Sequence, residues 1–326
     1  MKAILCRQYG APQTLTFEDV PSLKPGPGEA IVSMKAASVN FPDVLIIQNK
    51  YQVKPPLPFS PGSELAGVVK EVGEGVTNAK PGDRVIAFSS YGAFSEEVRV
   101  DAARLIPMPE GMDFPTAASF ILTYGTSYHA LKNRLVSTPG ESLLVLGAAG
   151  GVGLSAIEIG KVLGLRVIAC ASTDEKLAVC REHGADETIN YATGDMRERI
   201  KALTGGKGVD VIYDAVGGAY TEAALRSSAW RARLLVIGFA AGDIPKIPLN
   251  LPLLMERSVI GVYWGDWARR NPADFAVSVR ELGAWFAQGK LRPHVSATFP
   301  LARAAEALQL MADRQVKGKV VIASGG

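Results

Sequence analysis

Ser142-Leu143-Leu144-Val145-Leu146-Gly147-Ala148-Ala149-Gly150-Gly151-Val152-Gly153 decides how this chain is read. A short apolar run ends in a glycine-rich turn, and a helix-like segment, Leu154 to Leu163, follows. Strand, glycine turn and helix in this order form the layout that holds a dinucleotide pyrophosphate. Glycines permit the tight turn and let the backbone approach the phosphates. The helix that follows offers its unpaired N–H groups and the positive end of its dipole. The spacing reads as Gly147-x-x-Gly150-x-x-Gly153 or as Gly151-x-Gly153-x-x-Ala156. An ordinary tight turn between strand and helix would look similar, so the context around it must decide.

That context is strand–helix alternation. Arg166–Ala171 reads as a second strand, Asp174–His183 as a helix, Glu187–Tyr191 as a strand and Met196–Leu203 as a helix. Val209–Asp214, Leu234–Ile237 and Val259–Val262 are further strands. Such alternation builds a parallel sheet from βαβ units, and the glycine turn follows its first strand, where the motif requires it.

Upstream, residues 1–122 read differently. Ala30–Ala36 partly alternates, Leu65–Val72 is apolar and branched, and Pro81-Gly82-Asp83-Arg84 turns into Val85–Phe88. Pro55, Pro56, Pro58, Pro61 and Gly62 punctuate the segment, which predicts a mainly β, barrel-like domain. Beyond Asp266 come two helical patterns, Pro272–Phe286 and Leu301–Met311, and a last strand, Lys319–Ala323. Such a tail fits one domain inserted into another. The expected division is 1–122, an inserted dinucleotide domain 123–265, and a return segment 266–326 completing the first domain.

Composition sets limits. At 326 residues the chain is long enough for two domains, and 48% apolar with 21% charged residues describes a folded, water-soluble protein. A net charge of +3 without a basic run argues against nucleic acid. Neither a membrane-length apolar run nor a signal peptide is read, and cysteines 6, 170 and 180 fit reduced thiols in a cytoplasm.

These stretches resemble the medium-chain dehydrogenase/reductase superfamily and, within it, the zinc-independent quinone oxidoreductase branch. The resemblance is carried by Ser38-Val39-Asn40-Phe41-Pro42-Asp43, by Pro61-Gly62-Ser63-Glu64-Leu65-Ala66-Gly67-Val68-Val69, and by Gly75-Val76 with Lys80–Val85. The Ala148–Gly153 turn, Val209-Asp210 with Asp214-Ala215-Val216-Gly217, and Gly318-Lys319-Val320-Val321 complete it. It implies an α/β protein with a GroES-like, mainly β catalytic domain, an inserted Rossmann domain with a doubly wound parallel sheet, and a cleft between them. It also implies a homodimer in which the last strands of two Rossmann sheets meet.

Zinc-dependent relatives carry Cys at the position of Asn40 and His at the position of Ser63; amide and hydroxyl are poor zinc ligands. Glu64 alone holds no metal, residues 73–110 lack the cysteines of a structural zinc loop, and His129, His183 and His294 stand without neighbouring ligands. No metal is expected. A substrate with its own electrophilic centre, a quinone or a conjugated enone, then suits the site.

For the cofactor, the second strand ends Ala169-Cys170-Ala171-Ser172-Thr173 with no carboxylate at its tip. NAD-preferring sites place an acid there. By resemblance Ser172, Lys176 and Tyr191 select NADPH; Asp174 and Glu175 either repel a 2′-phosphate or serve as helix N-cap and first-turn charge, and the balance favours NADPH. The turn supplies Gly147, Ala149, Gly150, Gly151, Val152 and Gly153. Val216, Gly238, Phe239 and Lys319 complete the cofactor set.

The proposed catalytic residues are Asn40, near the nicotinamide and reacting oxygen; Tyr51, for substrate contact or proton delivery; and Thr126, for the carboxamide by resemblance. Tyr51 reads equally as a loop aromatic packed on the proline-rich segment. Asp43, Tyr263 and Trp264 join Tyr51 as pocket residues, with a helix-start cap open for Asp43 and core or dimer packing open for the two aromatics. The expected activity is NADPH-dependent hydride transfer to a quinone. Reduction of an enoyl-thioester or 2-alkenal, with Arg269 and Arg270 as a basic rim, and a non-enzymatic NADPH-binding role are the alternatives.

Overall fold

A computed structural model of the chain describes residues 1–324. Fifteen strands occur among the described residues: β1 Lys2–Leu5, β2 Thr16–Asp19, β3 Glu29–Val39, β4 Glu64–Val72, β5 Arg84–Phe88, β6 Glu97–Asp101, β7 Ile106–Pro107, β8 Ser142–Leu146, β9 Arg166–Ala171, β10 Glu187–Asn190, β11 Val209–Asp214, β12 Ser228–Val236, β13 Ser258–Gly261, β14 Val295–Pro300 and β15 Lys319–Ala323. The chain divides into two units, residues 1–122 with 293 onward, and residues 123–292.

In the first unit the long strand β3 organises a seven-stranded sheet of order β14-β15-β3-β4-β5-β7, with β6 also paired to β3. β4 covers one edge of β3. The other edge is shared, Glu29–Ser33 by β6 and Ala36–Val39 by β15. Register shifts at Ile31/Val32 and Met34/Ala36 bend the strand between these partners. Only the near half of β3 is legible as a strand in the sequence, because its far half is completed by a strand from the other end of the chain. Ala30, Val32, Met34, Ala37, Val39, Leu65 and Phe94 are buried in the core below.

The second unit holds a six-stranded, wholly parallel sheet of order β10-β9-β8-β11-β12-β13. β8 is buried throughout, which is why it reads as an unbroken apolar run and not as an alternating one. From β8 the chain winds outward to β9 and β10, then returns to place β11 on the other side of β8. The winding reverses at that point, and a crevice opens at the carboxyl ends of β8 and β11, the ligand position of doubly wound sheets.

The inserted unit reaches Arg292, so the expected boundary at 265 falls short. Helices Trp264–Arg270 and Pro272–Ala287 stay with the parallel sheet. Leu282 and Trp285 are buried, Tyr128 and Trp285 rings lie 5.7 Å apart, and Lys132 pairs with Glu281 at 2.5 Å. Arg292 N–H then donates to the buried Glu158 carboxylate at 2.9 Å. These anchors are tertiary, and nothing in the helix sequence announces which domain it covers.

Candidate active site

The glycine turn leaves β8 at Gly147, whose φ of +69° lies in the left-handed region that favours glycine. Gly150 N–H donates to Gly147 O at 3.1 Å and starts helix Gly151–Val162 as its N-cap. A Cβ on Gly153 would stand 2.4 Å from Gly147 O and 2.5 Å from Ala148 O. The first helical turn therefore lies directly on the strand exit, and the opening N–H groups of the helix, which helix geometry leaves without intrahelical partners, cap the sheet edge. This is a cradle that fits a pyrophosphate.

The other predicted cofactor residues of this domain line the same carboxyl edge. Val216 follows β11, and its Cγ2 lies 2.8 Å from the Cβ position of Gly147. Asp214, without an assigned role in the sequence reading, is buried and shapes that loop by accepting the Val216 and Gly217 N–H groups, both at 2.9 Å. Phe239 follows β12 and lies against Gly217, while Ala240 and Ala241 donate to Ala215 O and Val216 O. Gly238 is held by Asp214 O at 3.3 Å.

At the tip of β9, Lys176 Nζ donates to Ser172 Oγ at 3.5 Å, so an ammonium and a hydroxyl stand together where a carboxylate would favour the unphosphorylated ribose. Tyr191 follows β10 and is tied to Ala171 O through its N–H at 3.2 Å, its ring 4.5 Å from that of Tyr220. The N-cap of helix Asp174–Glu182 is Thr173, not Asp174. Thr173 has the extended backbone of a cap and accepts the Lys176 N–H at 3.3 Å. Asp174 is already helical, and its carboxylate accepts from Asn190 Nδ2 at 2.9 Å.

The first domain gathers a different constellation. β3 ends at Val39, and Asn40 is the N-cap of helix Phe41–Ile46. Asp43, 1% exposed, returns its carboxylate to Asn40 N–H at 2.8 Å, so the cap reading holds for it. Asn40 Nδ2 donates to Ser38 Oγ at 3.1 Å and to Ser38 O at 3.3 Å, and Oδ1 accepts from Lys319 Nζ at 2.5 Å. Ser38 Oγ in turn donates to Glu64 Oε2 at 2.7 Å, and Glu64 Oε1 accepts Leu122 N–H at 2.8 Å. Lys319 also donates to Val39 O at 3.3 Å and lies 3.9 Å from Glu64.

Two carboxyls and one ammonium share this interior. Burial pushes the Asp43 carboxyl up to about 7, against the pull of Asn40 N–H and Lys319. Burial also raises Glu64 and lowers Lys319, and the mutual attraction of Lys319 and the carboxylates opposes both shifts. Ser63 Oγ is buried without a well-aligned hydrogen bond, yet stands near enough to Asp43 to favour its charged form. Sequence reasoning assigned Ser38, Ser63 and Glu64 no positive role; their only signal was membership of the two motif stretches around Asn40 and Gly62.

The remaining candidates are less convergent. Tyr51 is half-buried and packs against the first domain's core. Thr126 is half-buried on helix Ile121–Tyr128. Trp264 is 6% exposed and packs on Gly125 with its ring 5.9 Å from Phe275, as core packing would have it, while Tyr263 is 55% exposed. Arg269 and Arg270 both bind Asp266, at 2.7 and 2.5 Å, which neutralises part of the basic rim a coenzyme A thioester would need.

The family models for an alcohol dehydrogenase GroES-like domain and a zinc-binding dehydrogenase match residues 26–110 and 151–282. Quinone oxidoreductase-like protein 2 of Mus musculus is 38% identical over 322 residues, 98% of this chain and 91% of that protein. This chain belongs to the quinone oxidoreductase-like branch of the medium-chain dehydrogenase/reductase superfamily. Among solved structures, Escherichia coli quinone oxidoreductase complexed with NADPH has a TM-score of 0.93 at 30% identity, covering 99% of this chain and 100% of that one. The quinone oxidoreductase of Pseudomonas syringae pv. Tomato DC3000 has a TM-score of 0.92 at 33% identity, with 99% of each chain covered.

The zinc named in one family model does not suit this branch member's residues. Asn40 turns its amide to Ser38 and Lys319, Ser63 offers a hydroxyl, and the Lys319 ammonium already stands 3.9 Å from Glu64, where a dication would be repelled. Among the described residues no group of three or more His, Cys, Asp and Glu could hold a metal, and no helix is long and apolar enough to cross a membrane.

Proposed function

We propose that this oxidoreductase binds NADPH on the Rossmann domain and passes a hydride to a quinone. The observation that carries the reading is the chemistry of the Asn40 cluster, which offers hydrogen bonds and an ammonium and no metal-ligand set. An acceptor that needs no Lewis acid matches it. NADPH supplies a hydride from nicotinamide C4; the chain's residues bind, orient and exclude water.

The Gly147–Gly153 turn and the first turn of helix Gly151–Val162 would hold the pyrophosphate. Ser172 and Lys176 would take the 2′-phosphate, with Tyr191 flanking it, and Val216, Gly238 and Phe239 would border the nicotinamide end. Asn40 Nδ2 is committed to Ser38 and Glu64, so what Asn40 can offer the reduced acceptor is the second lone pair of Oδ1, which would accept from the product hydroxyl once the oxyanion is protonated. Hydride arrival leaves an oxyanion on the acceptor that must be protonated. Tyr51 is assigned as the phenol that delivers this proton, and Thr126 as the carboxamide partner.

A cytoplasmic homodimer belongs to the same proposal. Edge strand β13 has an unpaired side within the chain's own sheet and exposes Val259, and the preceding segment exposes Ile244, Leu249, Leu253 and Leu254. Exposed apolar side chains in the segment that leads into an open strand edge favour association.

The test is NADPH oxidation by chelator-treated protein with quinones, free enones and enoyl-thioesters. Quinones are expected to give the highest specificity constant. A much higher constant for a thioester would move the enzyme to the enoyl reductases, and tight NADPH binding without turnover of any acceptor would make it a binding protein.

A further inference from the structure

β15 begins at Lys319, and its antiparallel pairing with β3 sets Val320 opposite Val39. Lys319 therefore enters the interior one step past the end of β3, beside Asn40. Its backbone is fixed there by a 2.8 Å hydrogen bond from its N–H to His294 O. The side chain is 5% exposed, and its ammonium is committed to Asn40 Oδ1, to Val39 O and, at 3.9 Å, to Glu64.

The chemistry of the two ends gives this group a direction. An ammonium only donates and an ionised carboxylate only accepts. Glu64 Oε2 accepts the Ser38 hydroxyl proton, which leaves Ser38 Oγ to accept from Asn40 Nδ2. Asn40 Oδ1 must then face Lys319. Rotating the amide by half a turn would press its NH2 against the ammonium and its oxygen against Ser38 O. The sheet register thus determines which end of the Asn40 amide points where.

We propose that Lys319 is a positioning residue that orients the Asn40 amide for the acceptor step, and not a ligand of the cofactor. The kinetic part of this inference rests on the proposed hydride transfer; the structural part stands without it.

The test uses full-length protein labelled with 15N-asparagine, the Asn40 side-chain signals being identified by their loss in Asn40→Asp. In Lys319→Met those signals are expected to shift and to exchange with solvent at least roughly 10-fold faster, since the amide loses a charge-assisted partner. With a quinone, kcat should fall roughly 10- to 100-fold, the span of a lost hydrogen bond to a charged group, while the NADPH Kd by direct titration stays within about twofold. An NADPH Kd raised roughly 10-fold or more with the Asn40 signals unmoved would make Lys319 a cofactor ligand and overturn the inference.

Should Lys319→Met fail to fold, Ser38→Ala interrupts the same chain without removing a charge. Moved Asn40 signals and an unchanged NADPH Kd are expected there, and unmoved signals would overturn the inference. If the wild-type protein turns over no acceptor, hydride transfer is what fails, and the Asn40 signals with the NADPH Kd still decide the role of Lys319.

Discussion

Asp43 carries the sharpest consequence at the scale of a residue. Its folded-state pKa, raised by burial to about 7 from an ordinary 3.8, means that the folded protein holds a proton the unfolded chain gives up. The resulting stability is complete below about pH 4 and is lost as pH rises through about 7. A shift of this size bounds the effect at about 4 kcal/mol. In Asp43→Asn an amide oxygen can still accept the Asn40 N–H, so the helix cap survives while the titration disappears. Thermal unfolding from pH 5 to 8 should show the variant gaining on the wild type as pH rises; parallel Tm curves would count against a protonated Asp43. The motif stretches that hold Ser38, Asn40 and Glu64 were legible in the sequence, but their meeting with one another and with Lys319 was not. Ser38 and Glu64 meet because β4 pairs with β3, and Lys319 joins them because β15 returns along β3, a pairing that brings residues 40 and 319 together across nearly the whole chain. Local sequence holds no trace of such a contact, so the hydrogen bond from Lys319 to Asn40 was not legible in it.

Elements tell the opposite story for the glycine turn. β8, the turn and helix Gly151–Val162 are contiguous, so their geometry is written in adjacent residues and was read from them. The structure adds why Gly153 tolerates no side chain: a Cβ would meet two backbone carbonyls within 2.5 Å. Gly153→Ala should therefore push the helix start away from β8 and weaken NADPH binding by roughly 10-fold or more, the loss expected when backbone hydrogen bonds to a charged phosphate are misplaced. Direct cofactor titration checks this, and an unaltered Kd would show that the turn does not cradle the pyrophosphate. Helix Pro272–Ala287 marks the limit of the same approach. Its apolar pattern gave the element, and only the burial of Leu282 and Trp285 against the parallel-sheet domain assigns it to its unit.

For the whole molecule, two expectations remain to be met in solution. Leu253 and Leu254, 76% and 68% exposed on a short helix, are costly on a monomer's surface and are where the proposed second copy would sit. Leu253→Asp with Leu254→Asp should convert the proposed dimer to a folded monomer in sedimentation velocity; wild-type protein sedimenting as a monomer would remove the dimer. The fold class followed from element alternation over long stretches, which survives errors at individual boundaries, whereas cofactor choice hangs on a few side chains at one strand tip. The most direct measurement is steady-state oxidation of NADPH and of NADH by a quinone after exhaustive chelation. The Ser172–Lys176 pair and the metal-poor Asn40 cluster predict full turnover without metal and a specificity constant at least roughly 10-fold higher for NADPH, the worth of a charge-assisted phosphate contact. Equal constants for the two cofactors, or activity that vanishes with chelation and returns with zinc, would contradict the account.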